Sequence, residues 1–64
     1  MTVEEIFSMG LVNDNTIVYI RQGEGFHTLA RGSWYNDEIL AYEEHKVESF
    51  TWQDDNRIYI DIHE

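Results

Sequence analysis

The adjacent carboxylates Asp37-Glu38, Glu43-Glu44 and Asp54-Asp55 could take part in general acid–base chemistry. General acid–base work needs such groups in a concave pocket that shifts their pKa values. Neighbours in sequence usually diverge in space, and a short chain has little room for a pocket. The pairs therefore read as solvated turns or a solvated face. His27, His45 and His63 are the candidate metal ligands. No two stand four residues apart on a helix, and none lies in a ligand motif. His27 and His63 fall on strands that could adjoin, but the simpler expectation is three surface imidazoles and no metal. Ser8, Ser33 and Ser49 have no nucleophile-elbow motif around them, and the chain has no Cys to serve as a nucleophile. Gly23-Glu24-Gly25 lacks the third glycine and the lysine of a phosphate loop, so it reads as a hairpin turn. The expectation is a protein that is not an enzyme and needs no cofactor.

The charge pattern carries more information. The chain has 64 residues, with 13 Asp and Glu against 4 Lys and Arg, for a net charge of −9. Most of the excess lies in residues 33–64. There Asp37, Glu38, Glu43, Glu44, Glu48, Asp54, Asp55, Asp61 and Glu64 face only Lys46 and Arg57. Such a surface repels phosphate, which argues against direct nucleic-acid binding. It attracts a basic protein and steers the encounter. Trp34 and Tyr35 are adjacent large aromatics of the kind that anchor protein interfaces, and Tyr42 and Tyr59 could extend them. The expected partner-binding set is Trp34, Tyr35, Asp37, Glu38, Glu43, Glu44, Asp54, Asp55 and Asp61. The expected function is a non-enzymatic acidic interaction module. In its sharpest form it mimics nucleic acid and inhibits a basic DNA- or RNA-binding protein. The alternative is a structural or self-associating accessory protein, monomer or homodimer, whose strand edges pair.

Elements must position these groups. Hydrophobic residues make up 42% and aromatics 14%, too many for a disordered tail. The length allows one domain, residues 1–64, with a small core. Thr2-Val3-Glu4-Glu5 has capping-box spacing and predicts a short helix over 3–9, closed by Gly10, with Val3, Ile6 and Phe7 on the face that packs. Residues 16–21 are β-branched and aromatic on both faces, which predicts a central strand. A hairpin loop at 22–25 leads into a returning strand over 26–31. Asn36-Asp37 could cap a helical turn containing Ile39, Leu40 and Tyr42. A strand is the competing assignment, disfavoured because these residues do not alternate with polar ones. Residues 47–52 and 57–62 form a closing hairpin. A three-residue loop, Asp54-Asp55-Asn56, would pair Trp52 with Ile58 and Phe50 with Ile60, bringing five large apolar residues to one face. Val47, Ser49, Thr51, Arg57, Tyr59 and Asp61 would share the other. The expected fold is α+β: a short N-terminal helix and a four-stranded antiparallel sheet made of two hairpins joined by a short helical segment. Strand order is not fixed by the pattern.

The opening Thr2-Val3-Glu4-Glu5-Ile6, the strand Ile17-Val18-Tyr19-Ile20 and the closing Ile58-Tyr59-Ile60-Asp61-Ile62 resemble a group of small acidic proteins of Gram-positive gut bacteria and of their phages and mobile elements. The resemblance implies a phage or mobile-element accessory protein, of the anti-CRISPR or other anti-defence kind. It supplies no active site. No apolar run approaches the ~20 residues of a membrane span, no signal peptide is expected, and the lack of Cys suits a reducing compartment. A cytoplasmic location away from the membrane is the expectation.

Overall fold

A computed structural model describes residues 1–23, 25, 27–54 and 56–63. Its elements run α1 (Val3–Ser8), β1 (Ile17–Gln22), β2 (His27–Gly32), α2 (Asp37–Leu40), β3 (Val47–Asp54) and β4 (Arg57–Ile62). The capping box forms as its spacing requires. The Thr2 hydroxyl accepts from the Glu5 amide, and the Glu5 carboxylate accepts from the Thr2 amide. Met9 is the C-cap, and Gly10 follows at φ 78°, a left-handed position that costs glycine little.

The strands form one sheet in the order β2-β1-β4-β3. The expected hairpins β1–β2 and β3–β4 are antiparallel, but β1 and β4 pair in parallel, so the sheet is mixed rather than purely antiparallel. The cause lies in residues 33–46. This segment carries α2 and leads from one sheet edge, β2, to the other, β3. Parallel strands need a crossover of about a dozen residues, commonly with a helix, and this segment has that length. It returns the chain to the end of the sheet from which β2 started, so β3 runs parallel to β2. The inner strands of the two hairpins then meet in parallel.

The closing hairpin pairs Trp52 with Ile58 and Phe50 with Ile60, as the loop argument requires. The turn itself differs from the expected three-residue loop. Asp54 pairs with Arg57, and the register shifts between Trp52 and Asp54, so Gln53 is a bulge. A second bulge, at Glu48, brings Val47 opposite Ile62 and turns it toward the core, not toward the polar face assigned to it above.

Among the described residues, one face of the sheet holds the core. Val18, Ile20, Ala30, Ile58, Ile60 and Ile62 pack with Val3 and Ile6 of α1 and Ile39 of α2. Phe7, Val12, Trp34, Tyr42, Val47, Phe50 and Trp52 close its margins. Both helices are thus on the same side. The N-terminal stretch also caps the start of β3: Thr2 bridges Lys46, and the Val47 amide donates to the Met1 carbonyl at 2.7 Å.

The turn into α2 depends on Gly32. Its φ is +148°, and a Cβ there would lie 2.6 Å from Asn36 Oδ1. That oxygen accepts from the Ser33 amide at 2.6 Å, so Asn36 braces the turn and makes no side-chain cap bond to α2. Gly32→Ala is expected to cost about 1–3 kcal/mol. The loss should exceed that of Gly10→Ala, whose Cβ would meet nothing within 4 Å. Urea denaturation of both variants checks the order.

Candidate functional site

The two faces of the sheet sort the charges. On the core side, α1 and α2 turn Val3, Ile6 and Ile39 inward and leave Glu4, Glu5, Asp37 and Glu38 exposed. Helical turns continue past α2, with the Glu43 amide donating to the Leu40 carbonyl at 3.1 Å. The Glu4 amide donates to the Glu43 carbonyl at 3.0 Å, and the Val3 amide to the His45 carbonyl at 3.1 Å. The first turn of α1 therefore sits against residues 43–45. Glu4, Glu5, Asp37, Glu38, Glu43 and Glu44 belong to one helical layer, with Lys46 at its margin.

The other face carries three rows set by register. Arg31, Tyr19, Tyr59 and Thr51 form one, Thr28, Arg21, Asp61 and Ser49 the next, and Ile17, Arg57 and Asp54 the third. Arg21, Arg31 and Arg57 are three of the chain's four Lys and Arg residues. Arg21 grips Asp61 in a fork, Nε to Oδ1 at 2.8 Å and a terminal nitrogen to Oδ2 at 3.1 Å. The Ser49 hydroxyl donates to the same Oδ2 at 3.1 Å. The guanidinium lies 4.4 Å from the centre of the Tyr59 ring, and Tyr59 stacks on Tyr19 at 4.8 Å. The Tyr59 hydroxyl donates to Gln53 Oε1. Arg57 stands 3.9 Å from Asp54.

The nine expected partner-binding residues thus separate. Asp37, Glu38, Glu43 and Glu44 come together in the helical layer. Trp34 and Tyr35 lie between β2 and α2, in an edge-to-face pair with ring centres 5.7 Å apart. Asp54 is at the β3–β4 turn beside Arg57, and Asp55 lies outside the described residues. Asp61 is 8% exposed and committed to Arg21 on the opposite face, so it does not join the others. Glu4 and Glu5 belong to the layer but were not among the expected residues. Their place follows from the non-local Thr2–Lys46 bridge, for which the sequence carries no local signal.

Of the histidines, His27 is on β2 and His63 follows β4, with β1 between those strands, so the two do not adjoin. His45 packs against Tyr42 with ring centres 5.4 Å apart. Among the described residues no group of three His, Asp or Glu side chains could hold a metal ion. Among the same residues no helix is long and apolar enough to cross a membrane.

The Cα framework measures 27 × 22 × 19 Å. Charges in water are screened over ~8 Å at physiological ionic strength. Arg31 of the edge strand β2 reaches the helical layer, where it lines a hollow with Asn36, Asp37 and Glu38, while Arg21 and Arg57 stay with Asp61 and Asp54 on the other face. No protein-family model, curated protein or solved structure matches this chain.

The Arg21–Asp61–Ser49 network makes a measurable demand. Asp61→Ala removes the two-point contact with Arg21 and the acceptor of the Ser49 hydroxyl, with an expected loss of about 1–3 kcal/mol. Arg21→Met combined with Asp61→Leu removes both charges and should cost less than Asp61→Ala alone. Urea midpoints of the three proteins check the ranking.

Proposed function

We propose that this chain is a non-enzymatic interaction module that docks on a basic protein. The docking surface is the helical layer, Glu4, Glu5, Asp37, Glu38, Glu43 and Glu44, with Trp34 and Tyr35 as aromatic anchors. One observation carries the reading: Arg21 and Arg57 are engaged with Asp61 and Asp54 on the opposite sheet face, so only Lys46 at the margin and Arg31, which lines a hollow with Asp37 and Glu38, offset the six carboxylates, and a net negative field remains. Asp54 and Asp61 contribute little to it, because each is beside an arginine.

The most specific form of the proposal is imitation of nucleic acid, in the manner of an anti-defence inhibitor from a phage or mobile element. Magnitudes narrow it. Over the 27 Å length of the framework, one DNA strand presents about 8 phosphates and a duplex about 16. Even spread along that whole length, six carboxylates are fewer than a single strand presents and fall well short of the duplex. The fitting partner is a protein whose basic groove takes one strand.

Immobilised protein should capture such a partner from a lysate of its host at about 0.1 M salt and release it near 1 M, where screening shortens from roughly 10 Å to 3 Å. Glu38→Lys with Glu44→Lys, both at exposed positions, should abolish capture and leave the unfolding midpoint nearly unchanged. Capture that survives both the double substitution and high salt contradicts the proposal.

A second reading, self-association, is favoured by the sheet's uncovered face. Ile17 and Leu29 are 39% and 41% exposed, and neither helix packs there. Both edge strands carry bulges, which blunt edge pairing, so two copies would meet face to face. Salt separates the readings: it should strengthen a dimer of like-charged chains and weaken docking on a basic partner. A single-chain mass by sedimentation equilibrium at high protein concentration and high salt removes the dimer.

A further inference from the structure

Beside the helical layer lies a hollow of about 440 Å³, lined by Phe7, Val12, Asn13, Asp14, Asn15 and Trp34. Its walls are of two kinds. Phe7 and Trp34 form the aromatic side, their ring centres 6.4 Å apart and tilted by 53°. The polar side is the turn after α1, and that turn is braced. Asn13 Oδ1 accepts from the Asn15 amide at 2.8 Å and from the Thr16 hydroxyl at 3.3 Å. The Asn13 amide donates back to Thr16 Oγ1 at 3.2 Å, and Thr16 is 1% exposed. Asp14 stands at the tip of this turn. Its Oδ1 accepts from the Trp34 indole N–H at 3.0 Å, which fixes indole and carboxylate relative to each other. Among the described residues no ammonium or guanidinium group lies within ion-pair distance of Asp14.

We infer that this hollow receives an arginine side chain of the basic protein partner, an inference that rests on the docking function proposed above. A guanidinium is flat, so it can lie against an indole face. Its fork of N–H donors matches the remaining lone pairs of the Asp14 carboxylate and the side-chain oxygen of Asn15, since Asn13 Oδ1 already accepts two hydrogen bonds. The hollow brings those groups together, with the Asp14 carboxylate beside the Trp34 indole, and its volume falls at the small end of ligand-sized sites. An ammonium would gain the charge but neither the stacking nor the fork. An anion would meet Asp14 and the field of a −9 chain. Trp34 thereby acquires a defined part in docking: it stacks on the partner's arginine while its N–H holds Asp14 in place.

The test uses the full chain labelled with ¹⁵N and the blocked peptide acetyl-Gly-Arg-Gly-amide, with lysine and citrulline peptides as controls at matched ionic strength. The chain has two tryptophans, so Trp52 provides an internal reference for the Trp34 indole resonance. The arginine peptide should shift the Trp34 indole N–H saturably by about 10 mM, as a millimolar site requires, and leave that of Trp52 still. Citrulline keeps the shape without the charge and should not do so, and lysine should bind more weakly. Asp14→Asn preserves an acceptor for the indole and should weaken the arginine peptide about tenfold or more. The inference is overturned if Trp34 does not respond, if citrulline or lysine matches arginine, or if Asp14→Asn binds as tightly as the parent. This outcome is separable from failure of the docking surface. The peptide experiment does not involve Glu38 or Glu44, whose reversal tests that surface.

Discussion

The parallel pairing of β1 with β4 is the constraint from which the rest of the molecule follows. These two strands carry Val18, Ile20, Ile58, Ile60 and Ile62, none more than 1% exposed. Burying each such side chain contributes roughly 1.5–3 kcal/mol, the largest favourable quantity available to a chain this short. Setting the two strands side by side places all five residues on one face. Only that face then needs cover, and α1 and α2 both supply it. Neither helix would hold alone, since six and four residues are far below the length at which an isolated helix is stable.

The same pairing decides where the charges go. Residues that alternate with the core isoleucines must point to the other side, and those are Ile17, Tyr19, Arg21, Arg57, Tyr59 and Asp61. The only buried carboxylate among the described residues, Asp61, is matched there by Arg21, which stands directly opposite it across the parallel pair. Arg21 and Arg57 are held on the uncovered face, while α1, α2 and the turns after α2 carry Glu4, Glu5, Asp37, Glu38, Glu43 and Glu44. In a protein with a net charge of −9, the helical side carries more carboxylates than cations, with Arg31 beside Asp37 and Glu38 and Lys46 at the margin. Electrostatic steering acts through such an asymmetry rather than through net charge alone.

Much of this was legible in the sequence, and what was not has a common cause. The capping box at Thr2–Glu5, the glycine stop at Gly10 and the Trp52–Ile58 register are local devices, each set by a few neighbouring residues. The parallel junction was not legible, because it depends on how residues 33–46 return across the sheet. Hairpin signals speak only of strands adjacent in sequence. The bulges at Glu48 and Gln53 were missed for a related reason: a pattern of strict alternation cannot reveal an extra residue. The candidate surface divided along the same line. Asp37, Glu38, Glu43 and Glu44 are close in sequence and stayed together. Asp61 left the group because the strand period and a partner forty residues away placed it opposite Arg21.

The central claim is that β1 and β4 run side by side in parallel, and aromatic contacts in solution test it most directly. In a nuclear Overhauser spectrum, the rings of Tyr19 and Tyr59, with centres 4.8 Å apart, should show strong cross-peaks. The backbone should show the contacts of a parallel ladder between Val18 and Ile58 and between Ile20 and Ile60. A spectrum without the tyrosine contact, or with antiparallel contacts between these strands, would contradict the account. The one-sided core and the separation of charge would fall with it.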